Sequence, residues 1–222
     1  MTQLSKETFD VLKNFASINN SVCFKKGSVQ KTVSPQKTIL VQATFKEEFP
    51  QDFAIYDLSQ FLSVLSLLDS PVLSFSEKSV TLKSDKSKVV YYFASPENIA
   101  SPKDKKVVLP SIDATFVLDA AAMKAAIQAA GVLSLPEIYV AGRDGTAYVG
   151  SGDSRTQTSN TFEYPAGPTE SEFHMIFKLD NIKVMQKTYT VELCNKGIAH
   201  FTSEDKSLEY WIPVDANANK NK

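Results

Sequence analysis

At 222 residues, 43% of them hydrophobic, the chain has enough apolar content for the cores of two modest domains. Its formal charge of −1 excludes a simple polybasic binder, its apolar runs break well short of the roughly 18 residues a membrane helix needs, and the opening MTQLSKETF lacks the basic-then-apolar order of a secretory signal. Cys23 and Cys194 are too few and too far apart for a disulfide framework or a four-ligand zinc site, so the expectation is two reduced thiols in a cytoplasmic protein, with no metal and no cofactor.

The first element is a helix over about 5–17, where Val11, Leu12 and Phe15 gather on one side with Leu4 and Thr8, and Lys6, Asp10, Lys13 and Ser17 share the other. Strands follow at 21–24, 29–33 and 38–45, punctuated by Lys26-Gly27 and Ser34-Pro35. The stretch 52–69, DFAIYDLSQFLSVLSLLD, then opens as a strand and turns into an apolar helix carrying Phe61, Leu62, Leu65 and Leu68, with Ser59 as the expected cap. Its polar side holds Ser59, Ser63 and Ser66 and no lysine. Three strands, 72–76, 79–83 and 88–94, close the first half through polar turns at Glu77-Lys78 and Ser84 to Lys86.

Residues 95–112 differ: Pro96, Pro102 and Pro110 surround the charged run Lys103-Asp104-Lys105-Lys106, and no periodicity of either kind is sustained. This reads as a connector between a domain at 1–94 and a domain at 113–215, with 216–222 a polar tail. The second half repeats the plan. A strand at 114–118 leads to a helix at 119–130 capped by Asp119, with Met123, Ala126, Ile127 and Ala130 toward the core and Lys124 and Gln128 on the far side. Strands are expected at 136–141, 146–151, 157–164 and 172–178, with Asp144-Gly145 as a hairpin turn, then a short helix at 180–185 with Lys183 exposed and Lys187 just beyond. Strands at 188–194, 197–202 and 207–214 finish the domain.

One phrase therefore recurs four times, a strand, a pivot leucine (Leu4, Leu58, Leu118, Leu179), a Ser or Asp, and a helix. Two such units per domain predict an α+β fold in which each domain lays two helices on antiparallel sheets. All but Arg143 and Arg155 of the 24 basic residues are lysines. Lysine is a mobile point charge suited to phosphate, whereas arginine reads bases with a fixed fork.

Three segments carry a resemblance. VLKNFASIN at 11–19, AIYDLSQFLSVLSLL at 54–68 and FKLDNIKVM at 177–185 resemble the DNA polymerase sliding clamps, or processivity factors, of T-even-type bacteriophages, and the likeness runs in order along nearly the whole chain. The resemblance implies the DNA clamp fold and a ring-forming homotrimer that encircles duplex DNA independently of sequence and confers processivity in the host cell cytoplasm. It implies DNA-facing residues at Lys6, Lys13, Lys124, Gln128, Lys183 and Lys187. It implies a subunit seam of Val89, Val90, Tyr91, Tyr92 and Phe93 against Thr158, Thr161, Phe162 and Tyr164. It implies a pocket for the C-terminal peptide of the polymerase at Val107, Leu109, Pro110, Tyr210, Ile212 and Pro213, shared with an ATP-driven clamp loader and, within the family, with late-transcription factors.

Two other classes compete. A β-rich virion structural or assembly protein, with no DNA-encircling role, accounts for repetition and surface lysines but not for lysines collected on helix faces. A hydrolase needs His174 or His200, the only histidines, yet neither falls in a ligand spacing, no GxSxG or glycine-rich phosphate loop occurs, and the pairs Asp52/Asp57 and Glu47/Glu48 read as solvent charge. The chain is expected not to be an enzyme.

Overall fold

The computed structural model describes residues 2–102 and 107–215, so the Lys103 to Lys106 run and the tail 216–222 lie outside the described residues. The chain divides into two compact units, Met1–Asp104 and Lys105–Lys222.

In the first unit the order is β1 (Thr2–Gln3), α1 (Lys6–Ile18), β2 (Val22–Phe24), β3 (Gly27–Val33), β4 (Leu40–Phe49), β5 (Phe53–Ile55), α2 (Leu58–Leu67), β6 (Val72–Phe75), β7 (Ser79–Lys83) and β8 (Lys88–Tyr92). Helix α1 starts where the wheel predicts: Ser5 is extended and its hydroxyl accepts the Thr8 N–H, satisfying one donor of the first turn. Strand β4 reinforces that cap, since the Glu47 carboxylate takes both the Ser5 N–H and the Thr8 hydroxyl. Val11, Leu12, Phe15 and Ile18 form one buried stripe beneath it.

Helix α2 corrects the expected cap. Asp57, not Ser59, is the N-cap, accepting the Gln60 N–H, and that bond holds the Asp57 carboxyl below its ordinary range. The helix begins at Leu58, so Asp57 is the extended residue that faces the unpaired donors of the first turn. Ser59 sits inside the first turn and donates to Asn20 Oδ1 instead.

Strands β1, β6, β7 and β8 form an antiparallel sheet in that order, leaving β8 at its edge, while β3 pairs with β4 and β2 with β5. α1 and α2 pack side by side, and an aromatic cluster of Phe24, Phe49, Phe53, Phe75 and Phe93 ties the strands together.

The second unit runs β9 (Ala114–Leu118), α3 (Ala120–Leu133), β10 (Glu137–Arg143), β11 (Thr146–Gly152), β12 (Phe162–Pro168), β13 (Phe173–Lys178), β14 (Tyr189–Cys194), β15 (Ile198–Ser203) and β16 (Leu208–Pro213). One antiparallel sheet has the order β12-β11-β10-β13, with α3 packed on β10 to β12, and β9, β14, β15 and β16 pair in the order β9-β14-β15-β16. The β10–β11 turn is as predicted: Asp144 and Gly145 both have positive φ, 50° and 76°, as a type I′ hairpin requires. Asp119 stands at the start of α3 in an extended conformation, but its carboxylate makes no capping bond, a departure from expectation. Ser134, at φ 54°, ends the helix in the left-handed region.

The helix expected at 180–185 is not formed. Only a 3-10 turn, Leu179–Asn181, occupies the place, so the described residues of the second unit hold one α-helix where the repeat predicts two. Two tyrosines explain it: Tyr210 Oη accepts the Met185 N–H at 3.2 Å and Tyr189 Oη donates to the Met185 carbonyl at 2.9 Å. Those backbone groups are satisfied from outside, and β-branched Ile182 and Val184 add little helix propensity.

Candidate functional site

Three surfaces were predicted to carry function, and the structure treats their residues unequally. On α1, Lys6 and Lys13 both point outward. Lys6 Nζ lies 2.7 Å from the half-buried Asp10, a surface pair that spends part of its charge within the helix and raises the Lys6 pKa through the Asp10 hydrogen bond. Lys13 has no carboxylate partner among the described residues, and its Nζ sits 4.6 Å over the Phe9 ring. The neighbouring face of α2 is hydroxyl-lined, and those hydroxyls are engaged: Ser63 donates to the Ser59 carbonyl at 2.8 Å and Ser66 to the Leu62 carbonyl at 2.9 Å. On α3, Lys124 and Gln128 are exposed one turn apart, opposite the buried Ala122, Met123, Ala126 and Ala130.

The last two predicted contacts differ. Lys183 is half-buried just past the 3-10 turn. Lys187 is held by Asp205 at 2.8 Å and by Ser207 Oγ at 3.3 Å. Burial alone raises the Asp205 pKa, but the Lys187 hydrogen bond and those from Ser203 and Ser207 outweigh it and hold the carboxyl well below its usual range. Lys187, assigned to the DNA-facing set, is thus held in an ion pair within its own unit.

Both strands proposed for the seam stand at sheet edges, β8 in the first unit and β12 in the second. An edge strand leaves a row of backbone groups unpaired. Along β8, Val90 and Tyr92 are 42% and 74% exposed. Val89 and Tyr91 alternate to the other face; Tyr91 Oη donates to Gln60 Oε1 at 3.0 Å, and its ring lies 5.1 Å from Phe61. Phe93 lies just past the strand, 5.1 Å from Phe53 in the aromatic cluster. On the other edge, β12 begins at Phe162 and not at 157, because Asp153 folds the preceding residues into turns by accepting the Arg155 N–H and the Thr156 hydroxyl. Thr158 and Thr161 consequently lie outside the strand, while Phe162 and Tyr164 lie on it. Pro165 and Pro168, within β12, supply no N–H, which suits an edge and shortens the ladder it offers. Glu163 anchors the strand's inner side through a two-nitrogen contact with Arg143 and a 3.2 Å bond from Tyr139 Oη; burial, then the Glu163 charge, push the Tyr139 hydroxyl up to about 12.

The pocket set divides by register. Val107 and Leu109 are half-buried and Pro110 is exposed. Tyr210 and Ile212 have no solvent-exposed surface, so they are core residues and not the wall of an open pocket. On β16 they alternate with Glu209, Trp211 and Pro213, which take the opposite face. Trp211, which sequence reasoning did not single out, is buried as well, 6% exposed and stacked 4.6 Å from His200, so only Glu209 and Pro213 of that face are partly exposed. His200 itself is bracketed by Glu192 at 3.0 Å and Glu209 at 2.9 Å, and His174 stacks on Tyr139 at 5.5 Å.

A family profile described as "DNA polymerase processivity factor" matches residues 5–108. The sliding clamp of Vibrio phage KVP40 is 32% identical over 96% of this chain and 99% of its own, and that of Escherichia phage RB69 is 26% identical over 97% and 98%. Among solved structures, the proliferating cell nuclear antigen of Thermococcus kodakaraensis shares the fold with a TM-score of 0.70 at 15% identity, covering 94% of this chain and 96% of its own.

Proposed function

Because the chain belongs to the family of DNA polymerase processivity factors, the sliding clamps of T4-like phages, we propose that three copies close head to tail around duplex DNA and tether the replicative polymerase to it. The observation that carries this reading is the likeness to the KVP40 clamp, which runs through both units on a clamp fold. A closed ring holds by topology and needs no tight grip. The surfaces fit that demand, since α1 and α3 present lysines and no arginine, and α2 no charge at all. Each exposed lysine–phosphate contact is worth about 1 kcal/mol or less, indifferent to sequence.

Lys13, Lys124 and Gln128 are the DNA-facing residues we favour, with Lys6 and Lys183 as lesser contributors. The seam reading pairs β8 of one copy with β12 of the next. The functional division into domains at 1–94 and 113–215 with a connector at 95–112 is supported by the boundary between compact units at Asp104 and Lys105. Val107, Leu109, Pro110 and Pro213, the members of the predicted set that keep exposed surface, line the pocket we favour for a polymerase or clamp-loader peptide, and late-transcription factors are further occupants of the same site. The chain acts as a tether and not as a catalyst, in the cytoplasm of the infected host.

The test joins mass to replication. Sedimentation should give three times the chain mass, and a Lys13→Glu/Lys124→Glu variant should keep that mass while losing most of its stimulation of primer extension at moderate salt. Unchanged stimulation would remove the helix faces from the DNA path.

A further inference from the structure

The β7–β8 hairpin carries a charge arrangement that its own unit does not explain. Lys83 of β7 faces Lys88 of β8 directly across the ladder, Lys86 stands in the turn between them, and Asp85 is the only acid among them. Like charges directly opposite in an antiparallel pair are destabilising. All three lysines are exposed, and none has an ion-pair partner among the described residues.

A complementary arrangement follows β12. The loop at 169–172 carries Glu170 and Glu172, both exposed and likewise without a cationic partner among the described residues. The loop is fixed in place: the Thr169 N–H donates to the Gly145 carbonyl, the Ser171 N–H to Thr169 Oγ1, and Ser171 closes so tightly on Gly142 that a Cβ there would collide with it. The two carboxylates are therefore presented from a rigid base.

Geometry brings these clusters together in one orientation only. If the free edge of β8 meets the free edge of β12 of a second copy antiparallel, the Lys88 end of β8 falls beside the Pro168 end of β12 and the loop that follows it. A parallel approach sets the lysines beside Phe162 instead, away from both glutamates. The Pro168 end is also where Pro165 and Pro168 leave the edge without donors, so backbone bonding is weakest where the charges are densest. Resting on the ring reading above, we propose that Lys83, Lys86 and Lys88 of one copy form an ionic latch with Glu170 and Glu172 of the next, fixing the antiparallel register and replacing ladder hydrogen bonds that β12 cannot make.

The test is charge exchange on the full chain, read by sedimentation or mass photometry across a concentration series at low and high salt. Lys86→Glu/Lys88→Glu alone, and Glu170→Lys/Glu172→Lys alone, should each raise the dissociation constant of the assembly about tenfold at low salt, and the effect should shrink at high salt. Mixing the two changes in one chain should restore assembly to within about threefold of the parent. The neutral variants Lys86→Gln/Lys88→Gln and Glu170→Gln/Glu172→Gln, which add no repulsion, should weaken assembly in the same direction by about threefold. Single reversals that leave assembly unchanged, or a combined variant no better than the two defects together, overturn the latch while the ring stands. A parent chain that stays monomeric at every concentration overturns the ring and the latch with it.

Discussion

Lysines that look alike in the sequence have different physical fates. Lys13 and Lys124 stand on helix faces whose opposite sides are buried, and a helical wheel is enough to place them outward. Lys187 is different because its partner, Asp205, lies 18 residues away and is brought near only by folding, a contact with no local signature. The consequence is measurable. Lys187→Ala should destabilise the fold by about 1 kcal/mol at neutral pH, whereas Lys124→Ala should leave it unchanged, as denaturant midpoints can show. The pH dependence follows from the depressed Asp205 pKa. A carboxylate whose folded pKa lies below its unfolded value stabilises fully above that unfolded value, about 3.9, and loses its contribution as pH falls below it. The gap between parent and Lys187→Ala should therefore be full near pH 7 and narrow progressively below pH about 4.

Elements were legible where one face is plainly apolar and opaque where tertiary contacts decide. The hydrophobic stripe of α1, the Asp144-Gly145 hairpin and strand β9 follow from periodicity and turn chemistry, and α1 and β9 lie where the pattern puts them. The missing fourth helix was not legible, because tyrosine hydroxyls from 189 and 210 reach the Met185 backbone only in the folded unit. Strand β12 slipped for a related reason, the turn built on Asp153, and that slip removed Thr158 and Thr161 from the edge. Its support is also tertiary. Gly150 of β11 lies so close to the Tyr139 ring and the Phe162 carbonyl that any Cβ would displace one of them. Gly150→Ala should cost about 1–3 kcal/mol of stability and, by shifting β12, weaken self-association more than the loss of stability alone explains. Thermal unfolding compared with sedimentation separates the two effects.

At the scale of the whole molecule, the family was legible in three segments, 11–19, 54–68 and 177–185, through their resemblance to the clamps of T-even-type phages. The burial of β16 was not, since Tyr210, Trp211 and Ile212 are all interior, on both faces of a strand whose sequence does not tell one face from the other. In the proposed ring, the α2 hydroxyls that close on their own helix carbonyls acquire a kinetic meaning. They offer a passing phosphate neither charge nor a spare donor, so friction along the duplex arises only at isolated cations such as Lys13 and Lys124. Single-particle tracking should then find that lateral diffusion quickens with added salt while the residence time of a closed ring stays constant, the behaviour of a bead threaded on a string.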